Sequence, residues 1–93
     1  EKALVRLRAA FALFGLTKDA DRCVPVIVGS TKNSDGQVRA AAVAALRRID
    51  PVPEKAGPAV FARLKDTSPR VRLEALRTIM VIAPATRGLA DRL

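Results

Sequence analysis

The chain of 93 residues contains no histidine, tryptophan or tyrosine, and it has one cysteine, Cys23. Without histidine there is no imidazole to act as a general base or as a metal ligand near neutral pH. A single thiol cannot form an internal disulfide, and it cannot supply the several ligands that a zinc or iron–sulfur site needs. We therefore expect no metal, no cofactor and no enzymatic activity.

Acidic residues and long apolar runs are also scarce. Nine Asp and Glu stand against seventeen Lys and Arg, so the formal net charge is +8. This excess favours acidic surfaces or phosphate backbones as partners, but it does not define a site. No apolar run approaches the roughly 20 residues that a membrane span needs. Because 49% of the residues are hydrophobic, we expect one soluble domain without membrane insertion.

What the chain does contain is a repeat. At an offset of 33 residues, DGQVRAAAV (35–43) aligns with SPRVRLEAL (68–76), and a fainter copy, LVRLRAA, lies at the start. Four apolar columns run through the three copies: Val5, Val38 and Val71; Ala9, Ala42 and Ala75; Leu13, Leu46 and Ile79; Leu16, Ile49 and Ile82. Within one copy these residues are spaced four, four and three apart, which predicts an amphipathic helix that we call helix B.

Capping signals predict where helix B begins and ends. Asp35 and Ser68 are favourable N-cap residues, and Pro69 suits the first helical position because the donor it lacks would have no helical partner. We expect helix B to end at Asp50-Pro51 and at Ala83-Pro84, since proline pushes the residue before it out of the helical region.

The segments between helices B match at the same offset. CVPVIVGSTK (23–32) aligns with AGPAVFARLK (56–65), a good helix former, so we predict a helix A in both copies. The Val and Ile content of the first segment would by itself also permit a strand. Pro25 and Pro58 would break a helix interior, so we expect them within or just before the first turn of helix A.

A unit of 33 residues cannot bury its apolar stripe alone, so neighbouring units must stack. We predict an all-α fold, a right-handed α-solenoid of antiparallel helix pairs with a period of 33. Ankyrin repeats would carry a histidine-containing turn, and tetratricopeptide repeats depend on Trp and Tyr, so neither fits. The predicted units are residues 1–16 (helix B of a first repeat), 19–50, 52–84 and 85–93 (the start of a further helix). Both ends are expected to meet flanking repeats of a longer parent chain.

The repeat resembles the HEAT repeat, in the short form of phycobilisome-lyase-type HEAT-like proteins. The resemblance lies in VPVIVGSTKNSDGQVRAAAVAALRRID and GPAVFARLKDTSPRVRLEALRTI: a proline early in helix A, an aliphatic run, a Lys/Asp turn, and Val-Arg-x-x-Ala opening helix B. It implies that the arginine column Arg6, Arg39 and Arg72 is structural. In such repeats this arginine bonds a side chain in the preceding turn, here Asn33 for Arg39 and Asp66 for Arg72.

The resemblance also implies where a partner would bind, because HEAT-like proteins use the concave side formed by the B helices. The candidate partner-binding residues lie on helix B outside the apolar stripe: Arg8, Arg47, Arg48, Arg77, Phe14 and Met80. We interpret the chain as a non-catalytic protein-interaction scaffold. The alternative is a nucleic-acid-binding module in which the same arginines meet phosphates. A phosphate track would repeat its cation in each copy, but the columns of these four candidate arginines carry other residues in the other copies, so a protein partner is favoured.

Overall fold

Helices dominate the part of the chain that the computed structural model describes, residues 2–49 and 56–82. Five helices lie in these ranges, and no strand does: α1 (Lys2–Thr17), α2 (Ala20–Ser30), α3 (Gly36–Arg48), α4 (Ala56–Arg63) and α5 (Pro69–Ile82). Helices α1, α3 and α5 correspond to the predicted B helices, and α2 and α4 to the A helices. The predicted all-α fold is confirmed, and the strand alternative for residues 23–31 is wrong.

Helices α3 and α5 begin where the capping signals predicted. The Asp35 carboxylate accepts a hydrogen bond from the backbone N–H of Gln37 at 2.9 Å, and the Ser68 hydroxyl accepts one from the N–H of Val71 at 3.5 Å. Helix α5 starts at Pro69. The predicted helix ends at 50–51 and 83–84, and the predicted further helix at 85–93, lie outside the described residues.

Helix α2 differs from its prediction in the position of Pro25. Asp19 is the N-cap, and its carboxylate accepts the N–H of Arg22 at 3.3 Å. The helix therefore begins at Ala20, and Pro25 lies inside it rather than in its first turn. Proline has no N–H, so Pro25 cannot donate to the backbone carbonyl four residues before it, that of Asp21. Both residues are exposed, so water can donate to this carbonyl instead. Pro58 does lie in the first turn of α4, as predicted.

The hydrophobic core is centred on α3. Its apolar stripe, Val38, Ala42, Leu46 and Ile49, is at most 3% exposed, as the repeat columns predicted. Helix α3 packs against α1, α2 and α5, while α4 packs against α5. The thiol of Cys23 is buried in this core region, at 1% exposure. The B helices thus lie side by side in one layer and the A helices in a second. The right-handed twist and the repeat boundaries stay predictions.

Candidate functional site

A groove runs between the three B helices. Its wider part encloses about 400 Å³ and its narrower part about 140 Å³. Both parts are lined by Arg8 of α1, by Ala41 and Ala44 of α3, and by Glu74 of α5. Because these residues are shared, the two parts form one continuous groove, which we call the B-helix groove.

The floor of the B-helix groove is built from small side chains of α3. Ala41 and Ala44 are half-buried, and Ala45 is almost fully buried. Leu7 and Phe11 of α1 form an apolar wall beside them. A floor of methyl groups lets another polypeptide approach the α3 backbone closely, so the groove can accept a chain as well as a single side chain.

Three of the predicted partner-binding residues meet in the B-helix groove. Arg8, Arg47 and Arg48 line its wider part, although they come from two different helices. Arg77 does not line the groove, but its guanidinium lies 3.9 Å from the Glu74 carboxylate and its side chain is 57% exposed. The predicted arginine cluster is thus brought together except for Arg77, which borders it.

The two apolar candidates, Phe14 and Met80, lie outside the groove lining. Met80 is 71% exposed on α5. Phe14 does not face outward as its column suggested: it is half-buried and packs against the core, with the Lys18 ammonium 5.4 Å from its ring centre. An aromatic ring gains by covering its apolar surface, and Arg47 at the equivalent position of α3 is half-buried too.

Sequence reasoning missed the acidic residue of the groove. Arg47 donates a hydrogen bond to the Glu74 carboxylate at 2.8 Å, and both side chains are largely buried, at 24% and 14% exposure. Glu74 falls in the repeat column of Arg8 and Ala41. The three copies thus carry a cation, a neutral residue and an anion at this position, so the column does not indicate a charge. The signal that could have found the pair is an offset of 27, which brings Arg47 of one B helix to Glu74 of the next.

A second ion pair at the same offset joins the turns of the two repeats. Arg39 donates from Nε and Nη2 to the two carboxylate oxygens of Asp66, at 2.8 and 2.9 Å. It also donates from Nη1 to the backbone oxygens of Asn33 and Ser34. Arg39 therefore clamps its own turn to the turn of the following repeat.

This arrangement corrects the predicted partners of the arginine column. Arg39 does contact Asn33 and Arg72 does contact Asp66, but each bonds the backbone carbonyl rather than the side chain. The Asp66 carboxylate is taken by Arg39 of the preceding repeat. The Asn33 side chain instead accepts the N–H of Asp35 within its own turn, at 2.8 Å. The structural interpretation of Arg39 and Arg72 agrees with these contacts.

The charge of Asp66 is strongly stabilised. The two hydrogen bonds from Arg39 are the main cause that lowers the pKa of this carboxyl from 3.8 to about 2, and the Ser68 N–H and the Arg63 guanidinium add to it against the opposing effect of burial. The same pairing raises the pKa of Arg39. Asp66 is 7% exposed, so its role is to hold the fold together rather than to meet a partner.

The family model for HEAT repeats matches residues 1–80. The chain belongs to the HEAT repeat family. HEAT repeats generally serve as protein-interaction scaffolds and are typically not enzymes. No curated protein and no solved structure matches the chain.

The described part of these HEAT repeats has neither a membrane-spanning helix nor a cluster of metal-binding side chains. Over residues 2–49 and 56–82, no helix combines the length and apolar character needed to cross a membrane. Within the same described ranges, no three or more His, Cys, Asp or Glu side chains are grouped so that they could hold a metal ion.

Proposed function

We propose that the chain is a non-catalytic protein-interaction scaffold whose partner polypeptide lies in the B-helix groove. The observation that carries this proposal is that α1, α3 and α5 together form a groove with an alanine floor and an arginine rim. An apolar centre surrounded by polar groups is the usual arrangement of a protein interface. Arginine is also among the residues that most often dominate binding energy.

The alternative function, nucleic-acid binding, finds less support in the groove. A track for a phosphate backbone should present cations at every step. Here Arg47 is already paired with Glu74 at 2.8 Å, and that carboxylate borders both parts of the groove. A nucleic acid running along the groove would pass a fixed negative charge. The net charge of +8 and the exposed Arg8, Arg48 and Arg70 of the groove lining are the features in its favour.

The proposal can be tested with an Ala44→Phe variant, which fills the groove. The position tolerates a large side chain, since the equivalent residues of α1 and α5 are Phe11 and Arg77. Ala62→Phe, an exposed alanine on helix α4, is the matched control. A random dodecapeptide library displayed on phage is selected against the wild-type chain, and the affinity of each selected peptide is measured for all three proteins.

We expect the selected peptides to bind the wild-type and Ala62→Phe chains alike and to bind Ala44→Phe at least about tenfold more weakly. Peptides that bind all three proteins equally would place the interaction surface elsewhere and overturn the proposal. Failure to select any peptide, together with salt-sensitive binding of duplex or single-stranded DNA that Ala44→Phe weakens, would favour the nucleic-acid alternative.

A further inference from the structure

We infer that the partner of the B-helix groove is an acidic segment, with carboxylates at its two ends and an apolar side chain between them. This inference rests on the proposed function, and it adds the chemistry of the partner. Its evidence is the charge of the groove lining, the pairing of that charge, and the position of the apolar floor.

The lining of the B-helix groove is rich in arginine. Arginines are contributed by all three B helices, Arg8 from α1, Arg47 and Arg48 from α3, and Arg70 from α5, against the single carboxylate of Glu74. No lysine lines either part of the groove. A guanidinium presents a planar fork of donors that matches a carboxylate with two parallel hydrogen bonds, which an ammonium cannot do.

Not all of these arginines are available to a partner. Arg47 is held by Glu74 at 2.8 Å, so its charge is already balanced. Arg8, Arg48 and Arg70 are exposed, and within residues 2–49 and 56–82 no ion pair engages them. These three residues are the places where a partner can supply carboxylates.

The positions of the available arginines define the spacing of those carboxylates. Arg48 lines only the wider part of the groove and Arg70 only the narrower part, whose lining also includes Gln37 at the start of α3. Gln37 and Arg48 are eleven residues apart on one helix, which corresponds to about 16 Å. An extended peptide covers this distance in about five residues. The acidic positions of the partner should therefore lie about five residues apart, with the apolar residue between them.

The centre of the groove favours an apolar group over a further charge. There the partner meets the methyl groups of Ala41 and Ala44, with the exposed Arg8 and the paired Glu74 carboxylate beside them. The Phe11 ring adds apolar surface toward the wider part. An anionic group placed here would lie near Glu74 as well as Arg8, whereas an aliphatic side chain would cover the apolar floor. A continuous polyanion could pair with the arginines at the ends of the groove, but it would not cover the apolar floor between them. The groove therefore favours a segment whose carboxylates are separated by an apolar residue.

The test uses the peptides selected from the dodecapeptide library. We expect those that Ala44→Phe excludes to be enriched in Asp and Glu on both sides of an aliphatic or aromatic residue. Their matched amide versions, with Glu→Gln and Asp→Asn, should bind at least about tenfold more weakly to the wild-type chain. Arg48→Gln combined with Arg70→Gln, which removes the cation at each end of the groove, should weaken the acidic peptides by a similar factor.

The matched control is Arg22→Gln combined with Lys65→Gln, which removes the same charge at exposed positions outside the groove. It should change the affinity by no more than about twofold, the effect of net charge alone. Peptides that are excluded by Ala44→Phe but are neutral, or that lose nothing as amides, would overturn the acidic partner and leave the proposed function standing. If no selected peptide is sensitive to Ala44→Phe, the proposed function itself fails.

Discussion

Asp66 shows how much one residue contributes to joining two HEAT repeats. Its carboxylate accepts two hydrogen bonds from Arg39, one from Arg63 and one from the Ser68 N–H, and its backbone oxygen accepts one from Arg72. Such a set of bonds to a buried carboxylate favours the charged form. The charge of Asp66 is therefore coupled to the folded state.

This coupling predicts a dependence of stability on pH. The pKa of Asp66 is about 2 in the folded chain against an ordinary 3.8. Because the folded-state pKa is the lower one, the stabilisation is fully present above about pH 4 and is lost as the pH falls toward 2. It amounts to about 1–2 kcal/mol once screening by solvent is allowed for.

We expect Asp66→Asn to lower the free energy of unfolding by about 2–3 kcal/mol near neutral pH, because it leaves partly buried guanidinium groups without their counter-charge. The difference from wild type should shrink at about pH 2.5, where Asp66 is itself becoming protonated. Urea unfolding followed by circular dichroism measures both values. Asp21→Asn, at an exposed carboxylate, is the control. A difference that is equally large at both pH values would contradict the electrostatic explanation.

At the scale of the helices, one repeat column offers a matched pair of substitutions. Val5 and Val38 are equivalent residues of α1 and α3, but Val5 is 64% exposed and Val38 only 2%. We expect Val38→Ala to destabilise the chain by about 1.5–3 kcal/mol through lost burial and a cavity. Val5→Ala should change stability by no more than about 0.5 kcal/mol, since it removes little contact and improves helix propensity. Urea unfolding measures both values. Equal effects of the two substitutions would contradict the difference in burial between Val5 and Val38.

Helix α1 contains a glycine, Gly15, at a position where neither the backbone conformation nor the packing requires one. Gly15 is exposed, and a Cβ placed on it would meet no atom within 4 Å. Gly15→Ala should therefore stabilise the chain by about 0.5–1 kcal/mol, because alanine loses less backbone entropy in a helix. Ala12→Gly, at another exposed position of α1, should destabilise it by a similar amount. Thermal unfolding tests both, and a loss of stability in Gly15→Ala would contradict the expectation.

The helices could be predicted from the sequence because their signals are local and repeated. The spacing of Val38, Ala42 and Leu46 identifies a helix face, and Asp35 marks the start of that helix. The start of α2 was predicted less well, since it depends on Asp19 capping a helix that continues through Pro25.

The candidate site could be predicted only in part. Arg8, Arg47 and Arg48 were found because a helix B pattern places them off the apolar stripe. Glu74 was missed, because its pairing with Arg47 depends on how two helices lie side by side rather than on the spacing within one helix. Contacts of this kind follow from packing, which a repeat alignment does not contain.

At the scale of the whole molecule, equivalent residues of the three B helices differ in exposure. Leu7, Ala40 and Leu73 are equivalent residues of α1, α3 and α5, with exposures of 2%, 4% and 48%. Helices α1 and α3 each have a following B helix packed against them, and within the described residues α5 has none. Equivalent residues thus have different environments because each repeat is buried by its neighbours, as expected for a structure with contacts mainly between adjacent units.

The same logic predicts how the molecule comes apart. Besides the apolar contact between α3 and α5, two ion pairs hold the last described repeat to the one before it, Arg39 to Asp66 and Arg47 to Glu74. In the wild-type chain we expect α5 to be as protected from amide hydrogen exchange as α2, because neighbouring repeats unfold together when their interface is strong.

Arg39→Gln combined with Arg47→Gln removes both ion pairs from the α3 side. We expect the amides of α5 to lose protection by at least about tenfold more than those of α2, since α4 and α5 can then open while the first helices stay folded. Arg8→Gln combined with Arg48→Gln makes the same change of charge at exposed positions and should leave the ratio unchanged. If α2 and α5 lose protection equally in the first variant, the ion pairs stabilise the whole stack without determining which repeat opens first.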